Sequence, residues 1–304
     1  MTLNAPVPLG VIEHYTLLER TDPAGLGELY RARDTRLGRT VSVRLFPPDF
    51  AADPAVRAAL LERARSVISL SHPNVTALFD AGEHHGRIYL VFEFLKGQSL
   101  RAEMAGGMMN VRRAVELAIQ MADAVADAHA AGFIHGGLSP DSIAVTAKGH
   151  VKVPALELAA YSGFDQEASD IRLHDYDSPE EARGQGADER SDIYSVGAVL
   201  FEMLTNRRPL HRGAAAPSVS NRHVPPELDD VVLRTIAPNP DSRFQSAATV
   251  AAELRSMAAI LDVRGGAGDE EEHVEEHSAH LGRALVIAVV ILLALGTLAW
   301  LVLT

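Results

Sequence analysis

The chain has 304 residues, 40 acidic and 28 basic, with a formal net charge of −12. That length supports one two-lobed domain with a large core, and the charge argues against nucleic-acid binding, which needs basic surface to neutralise phosphates. There is no cysteine, which excludes disulfides, thiolate metal sites and cysteine nucleophiles.

In chain order, residues 1–14 have no basic leader and no long apolar run, so they read as a tail without a signal peptide. Residues 15–46 alternate like strands and end in VSVRLF, a β-branched apolar run. Residues 54–70 carry Ala and Leu at helical spacing; SHPNV then breaks the helix, and IYLVFEFL reads as a buried strand. Residues 111–131 form a strongly amphipathic helix pattern closed by Gly132. Short strands and a polar segment over 160–178 follow, and helical patterns return at 190–205, 226–236 and 245–261. This order predicts an α+β, two-lobed chain: a small β-rich lobe over 15–95 and a larger helical lobe over 96–262.

Residues 263–283 are Gly-rich and then acidic, the pattern of a solvated linker. His273, His277 and His280 would share one face of a helix there, a spacing that can bind zinc; an acidic spacer is the reading favoured, and no metal site is expected. The 21 residues Ala284–Thr304 carry no charge. As a helix they would extend roughly 30 Å, the thickness of the bilayer hydrocarbon core. With Arg283 before the run and Trp300 near its far end, they predict a single membrane-spanning tail anchor with the preceding domain in the cytoplasm.

Several segments, in order and with family spacing, carry a resemblance. They are GELYRARDTRLGRTVSVRLF, SHPNV, VFEFLKGQSL, IHGGLSPDSIAV, YDSPE, SDIYSVGAVLFEML and PDSRFQSA. From about Tyr15 to Leu261 the chain resembles the bacterial-type serine/threonine protein kinase family. The resemblance implies a two-lobed kinase fold and places ATP, magnesium and a catalytic loop between the lobes.

The departures from that pattern fall on the chemistry. In the catalytic loop, Gly137 stands where the family has the Asp that accepts the substrate proton, and Ser142 where an Asn binds magnesium. Ser139 replaces the Lys that steadies the transferred group, and Gly136 the Arg that reads a phosphorylated activation segment. The magnesium-binding DFG motif is Ala155, Leu156, Glu157. The glycine loop keeps Gly27 but carries Asp22 and Ala24 at its first two glycine positions, with Gly25 between Ala24 and Gly27. Arg44 occupies the position of the strand lysine; with only three lysines in the chain (Lys96, Lys148 and Lys152), that change alone decides nothing. Its helix partner, a Glu in the family, falls on Arg63, so two cations are expected to face each other. Glu62 is adjacent but about 100° around the helix. Loss of a general base alone costs about 10²–10⁴ in rate.

Positions that serve the fold are kept. His135 and Leu156 fall where apolar contacts link the lobes, Glu180 and Arg243 where the family forms a buried ion pair, and Asp192 where a carboxylate braces the catalytic-loop backbone. Fold retained and chemistry lost predict a pseudokinase, a binding or scaffold module with no catalytic residue. The alternative is a serine/threonine kinase with rebuilt, weak ATP chemistry, using Glu157 and Asp141 as displaced carboxylates. The hinge residues Glu93, Phe94 and Leu95 would still accept adenine, with Arg44, Gly25 and Gly27 near the phosphates. Ala144 at the pocket floor, usually a Leu, makes the fit loose, so ATP binding is expected to be weak and magnesium binding absent. Ser162 and Ser169 are candidate phosphorylation sites lacking the usual reader. RLHDY lacks the Thr-containing pattern that docks a substrate peptide, and the family's extra helix between Pro209 and Pro225 is expected to be missing or shortened. No peptide-recognition motif identifies the protein partner.

Overall fold

A computed structural model describes residues 9–22, 27–154, 174–211 and 213–264. The chain divides into two compact units, Met1–Arg255 and Ser256–Thr304. Of the second, only 256–264 are described, the last turns of a helix.

The first unit opens with an antiparallel six-stranded sheet in the order β1-β2-β3-β4-β7-β6. Its strands are β1 (Gly10–Ile12), β2 (Tyr15–Asp22), β3 (Glu28–Asp34), β4 (Arg39–Leu45), β6 (Leu78–His84) and β7 (Arg87–Glu93). The sheet starts earlier than alternation alone suggests. A turn at Glu13, whose φ is +51°, folds the three-residue β1 back onto β2. Alternation along β4 sends Val41, Val43 and Leu45 into one apolar cluster with Tyr15, Leu17 and Val91.

The other face of the sheet is covered by α1 (Pro54–Val67). Asp53 caps this helix by accepting from the amides of Ala55 and Val56, and Pro54 takes the first turn, where no amide is needed. Leu60, Ala64 and Val67 of α1 pack on Leu78, Ile88, Leu90 and Phe46.

The lower part begins with β5 (Val75–Thr76), β8 (Gly97–Ser99), β9 (Ala144–Thr146) and β10 (Val151–Pro154), which form a small sheet in the order β5-β10-β9-β8. The short helix α2 (Leu100–Glu103) follows β8. Then comes α3 (Val111–Ala130), capped by Asn110 and closed where Gly132 adopts φ +79° and Phe133 N–H bonds back to the Ala128 carbonyl.

Helix α4 (Glu189–Thr205) begins with a reciprocal Asp188/Ser191 capping box, and every residue from Ser191 to Thr205 is buried. A one-turn helix α5 (Pro217–Ser220), α6 (Pro226–Thr235) and a last helix α7 over 247–264 complete the described chain. The extra helix expected to be missing or shortened between Pro209 and Pro225 is thus four residues long. The expected span at 284–304 and the linker histidines lie outside the described residues; among those described, no helix is long and apolar enough to cross a membrane.

Candidate functional site

The catalytic-loop segment hangs from α4. Asp192, on the first turn of that buried helix, accepts the amides of His135 at 2.8 Å and Gly136 at 2.7 Å, and its Oδ2 lies 2.7 Å from His129 Nε2. Gly136 has φ +66°, a left-handed conformation in which a side chain is strained. Glycine adopts this conformation without that strain.

Past Gly137 the loop closes on itself. The amide of Ser139 donates to Ser142 Oγ at 3.2 Å, the amide of Ser142 to Ser139 Oγ at 3.3 Å, and Ser142 Oγ donates to the Ser139 carbonyl at 3.1 Å. The two serines, read from sequence as two separate losses, satisfy each other and the intervening turn. The i,i+3 spacing of two hydroxyl residues was the signal for this pairing, since such side chains bond local backbone.

No group at positions 137, 139 or 142 titrates near neutrality. The nearest loop carboxylate, Asp141, is exposed and 3.3 Å from Arg101 Nε. Arg101 also donates to Glu202 at 2.8 Å and to the hydroxyl of Tyr176, which in turn donates to Glu202. Burial, reinforced by the Glu202 carboxylate, pushes the Tyr176 hydroxyl up to about 12. Asp141 is thus held toward this cluster. A magnesium ion needs several hard oxygen ligands, usually including a carboxylate. The residues at 137, 142 and 155 do not fit one: the first and last offer no side-chain oxygen, and the hydroxyl of Ser142 is committed to Ser139.

Arg44 lies half-buried on β4, paired in register with Leu90 and so on the α1 face of the sheet. Arg63 is exposed near the end of α1. Arg63 Nη2 donates at 3.3 Å to the backbone carbonyl of Ile134, at the start of the catalytic loop. A long guanidinium at the foot of α1 reaches the lower lobe, where a glutamate would find no donor in that carbonyl. Glu62 is exposed.

Gly27 has φ +87°, and a Cβ there would lie 2.5 Å from the Leu45 carbonyl oxygen. Close approach to β4 is reason enough for this glycine, whatever the phosphate geometry. Gly25 lies outside the described residues, as do Ala155, Leu156, Glu157, Ser162 and Ser169. At the hinge, Leu95 and Phe94 are half-buried, and the Glu93 carboxylate is held 2.8 Å from Lys152 Nζ. Ala144 is half-buried on β9 opposite Ser99.

His135 is buried, 9% exposed, with neither ring nitrogen hydrogen-bonded among the described residues. It lines a pocket between α1 and α3, together with Val67, Val125 and Phe133. Glu180 and Arg243 are in contact across 63 residues, with Arg243 donating to both carboxylate oxygens at 2.6 and 2.7 Å. Arg243 also donates to the carbonyls of Ala237 and Arg190. Burial alone would raise the Glu180 carboxyl; the Arg243 hydrogen bonds outweigh it and hold the group down at about 2.

A sheet-rich upper lobe, a helical lower lobe and a loop braced from a buried helix define a protein-kinase fold. The protein kinase domain family matches residues 25–255, and this chain belongs to that family. It is 36% identical over 271 residues to serine/threonine-protein kinase PknB of Mycobacterium tuberculosis, covering 81% of this chain and 43% of that protein. It is 35% identical over 246 residues to a probable serine/threonine-protein kinase of Streptomyces coelicolor, covering 73% of this chain and 37% of that protein. The chain thus spans less than half the length of these relatives. Among solved structures, the PknI kinase domain of Mycobacterium tuberculosis superposes with a TM-score of 0.69 at 20% identity, covering 85% of this chain and all of that one. The PpkA-294 apo form gives 0.70 at 20% identity, over 83% of this chain and all of that one. At that identity the likeness is one of fold.

Proposed function

We propose that this chain is a membrane-tethered, kinase-shaped binding module that does not transfer phosphate. One observation carries the reading. The catalytic loop holds its shape through Ser139 and Ser142 bonding each other, beside a Gly137 with no group to take a proton. Gly137 offers no general base and Ser142 no carboxamide for a metal, while the Asp192 brace that shapes the loop is kept. Tethering rests on the uncharged run Ala284–Thr304.

The purified full chain, incubated with ATP, magnesium or manganese and a generic protein substrate, is expected to incorporate no phosphate into itself or the substrate. Incorporation abolished by Arg44→Met would refute the reading. A thermal-shift titration with ATP, with and without magnesium, is expected to give a small shift that magnesium does not enlarge, since stabilisation follows RT ln(1 + [L]/Kd). For the anchor, the full chain is expected to resist alkaline extraction from membranes, and a chain ending at residue 283 to be released.

The names of the curated relatives favour a second reading, an active serine/threonine protein kinase. It requires Glu157 and Asp141 to act as displaced carboxylates, and the contact of Asp141 with Arg101 counts against it. Metal-dependent turnover lost in Glu157→Ala would establish it.

A further inference from the structure

Four consecutive residues at the head of the catalytic loop face three different neighbours. Phe133 packs against the upper-lobe cluster that contains Phe46, Leu60, Ala64 and Leu90. The Ile134 carbonyl accepts from Arg63 on α1. The amides of His135 and Gly136 donate to Asp192, which sits on the buried α4. A short strap therefore touches the upper-lobe core, α1 and the buried helix α4 of the lower lobe.

The pocket beside the strap is lined by Arg63, Val67, Val125, Phe133 and His135, and the His135 ring has no hydrogen-bond partner among the described residues. Among the described residues, the Arg63 bond and the packing of Phe133 join α1 and the upper-lobe core to the loop. The acceptor is well anchored, because the two amides that follow it are fixed by a buried carboxylate.

We propose that Arg63 and residues 133–136 form a latch that fixes α1 to the catalytic loop, so that helix and loop move as one body and the lobes are coupled without a nucleotide between them. The cation that breaks the family's strand-to-helix ion pair is reused to tie the same helix downward. The latch requires neither activity nor inactivity of the cleft, so it stands or falls apart from the function proposed above.

Amide hydrogen exchange on the full chain tests it. Arg63→Met keeps the side-chain length and removes the donor. Exchange is expected to accelerate about three- to fivefold, the equivalent of one ordinary hydrogen bond, in both the 61–68 turns of α1 and the 134–138 segment. Phe133→Leu is expected to produce the same paired acceleration. Arg65→Met, which removes an exposed cation from the same helix, is expected to change neither segment. Acceleration confined to α1, no acceleration with either latch variant, or an equal effect of Arg65→Met would overturn the proposal.

Discussion

Replacing Arg243 by methionine tests how the lower lobe is held together, and its effect depends on pH in a direction the structure fixes. The arginine side chain is fully buried and donates to both oxygens of Glu180 and to three backbone carbonyls. Without it, Glu180 keeps the hydroxyl of Ser191 at 3.0 Å as a donor, and its charge is left buried without a cation. Breaking a buried pair from one side costs about 3–5 kcal/mol. The acid limb gives an independent figure. The Glu180 carboxyl falls from 4.5 to about 2 in the folded protein, so its contribution is about 3 kcal/mol. Because the folded value is depressed, that stability is fully present above about pH 4.5 and is lost as pH falls toward 2. Urea unfolding followed by circular dichroism should therefore show Arg243→Met about 3–5 kcal/mol less stable at pH 7, with the gap narrowing by most of that amount near pH 3. A loss under about 1 kcal/mol at pH 7, or a gap that does not change with pH, would show that the pair does not hold the lobe as described.

Three further outcomes follow from the packing. Gly136→Ala meets no atom within 4 Å but must adopt φ +66°, so it should cost about 1 kcal/mol, read as a fall of about 2–4 °C in Tm. Gly197→Ala, in the middle of α4, would place a Cβ 2.6 Å from Thr235 Cγ2 and 2.8 Å from Ile236 Cγ2; overpacking should destabilise by about 1–3 kcal/mol in urea unfolding. Asp192→Leu leaves two inward-facing amides without acceptors and should cost about 2–5 kcal/mol, with exchange at His135 and Gly136 rising toward that of a free loop.

The fold was legible because landmark segments arrive in order and because their periodicities agree with them. The apolar spacing of 111–131 and the β-branched run VSVRLF each specify one element, and α3 and β4 stand there. Asp192, Glu180 and Arg243 stand at motif positions; Asp192 accepts the amides of His135 and Gly136, and Arg243 donates to Glu180. What the sequence did not reveal are the contacts made by replacements. A motif records that Ser139 and Ser142 are not lysine and asparagine; it does not record that they bond each other. Helical phase places Arg63 near the strand, but a side chain of that length has several acceptors within reach, and tertiary contacts choose among them. Gly27 reads as a phosphate-loop glycine, yet the Leu45 carbonyl forbids a side chain there on its own account. Three-residue β1 and one-turn α5 are too short to carry a period.

Helix α4 has no solvent face beyond its first turn, and the loop is slung from it by a single carboxylate. The geometry of the cleft is thereby dictated from within the molecule's interior, by a partner that never meets a substrate. Substitutions at 137, 139 and 142 can therefore change what the loop presents without changing where it lies, because the Asp192 bonds reach the loop through backbone amides.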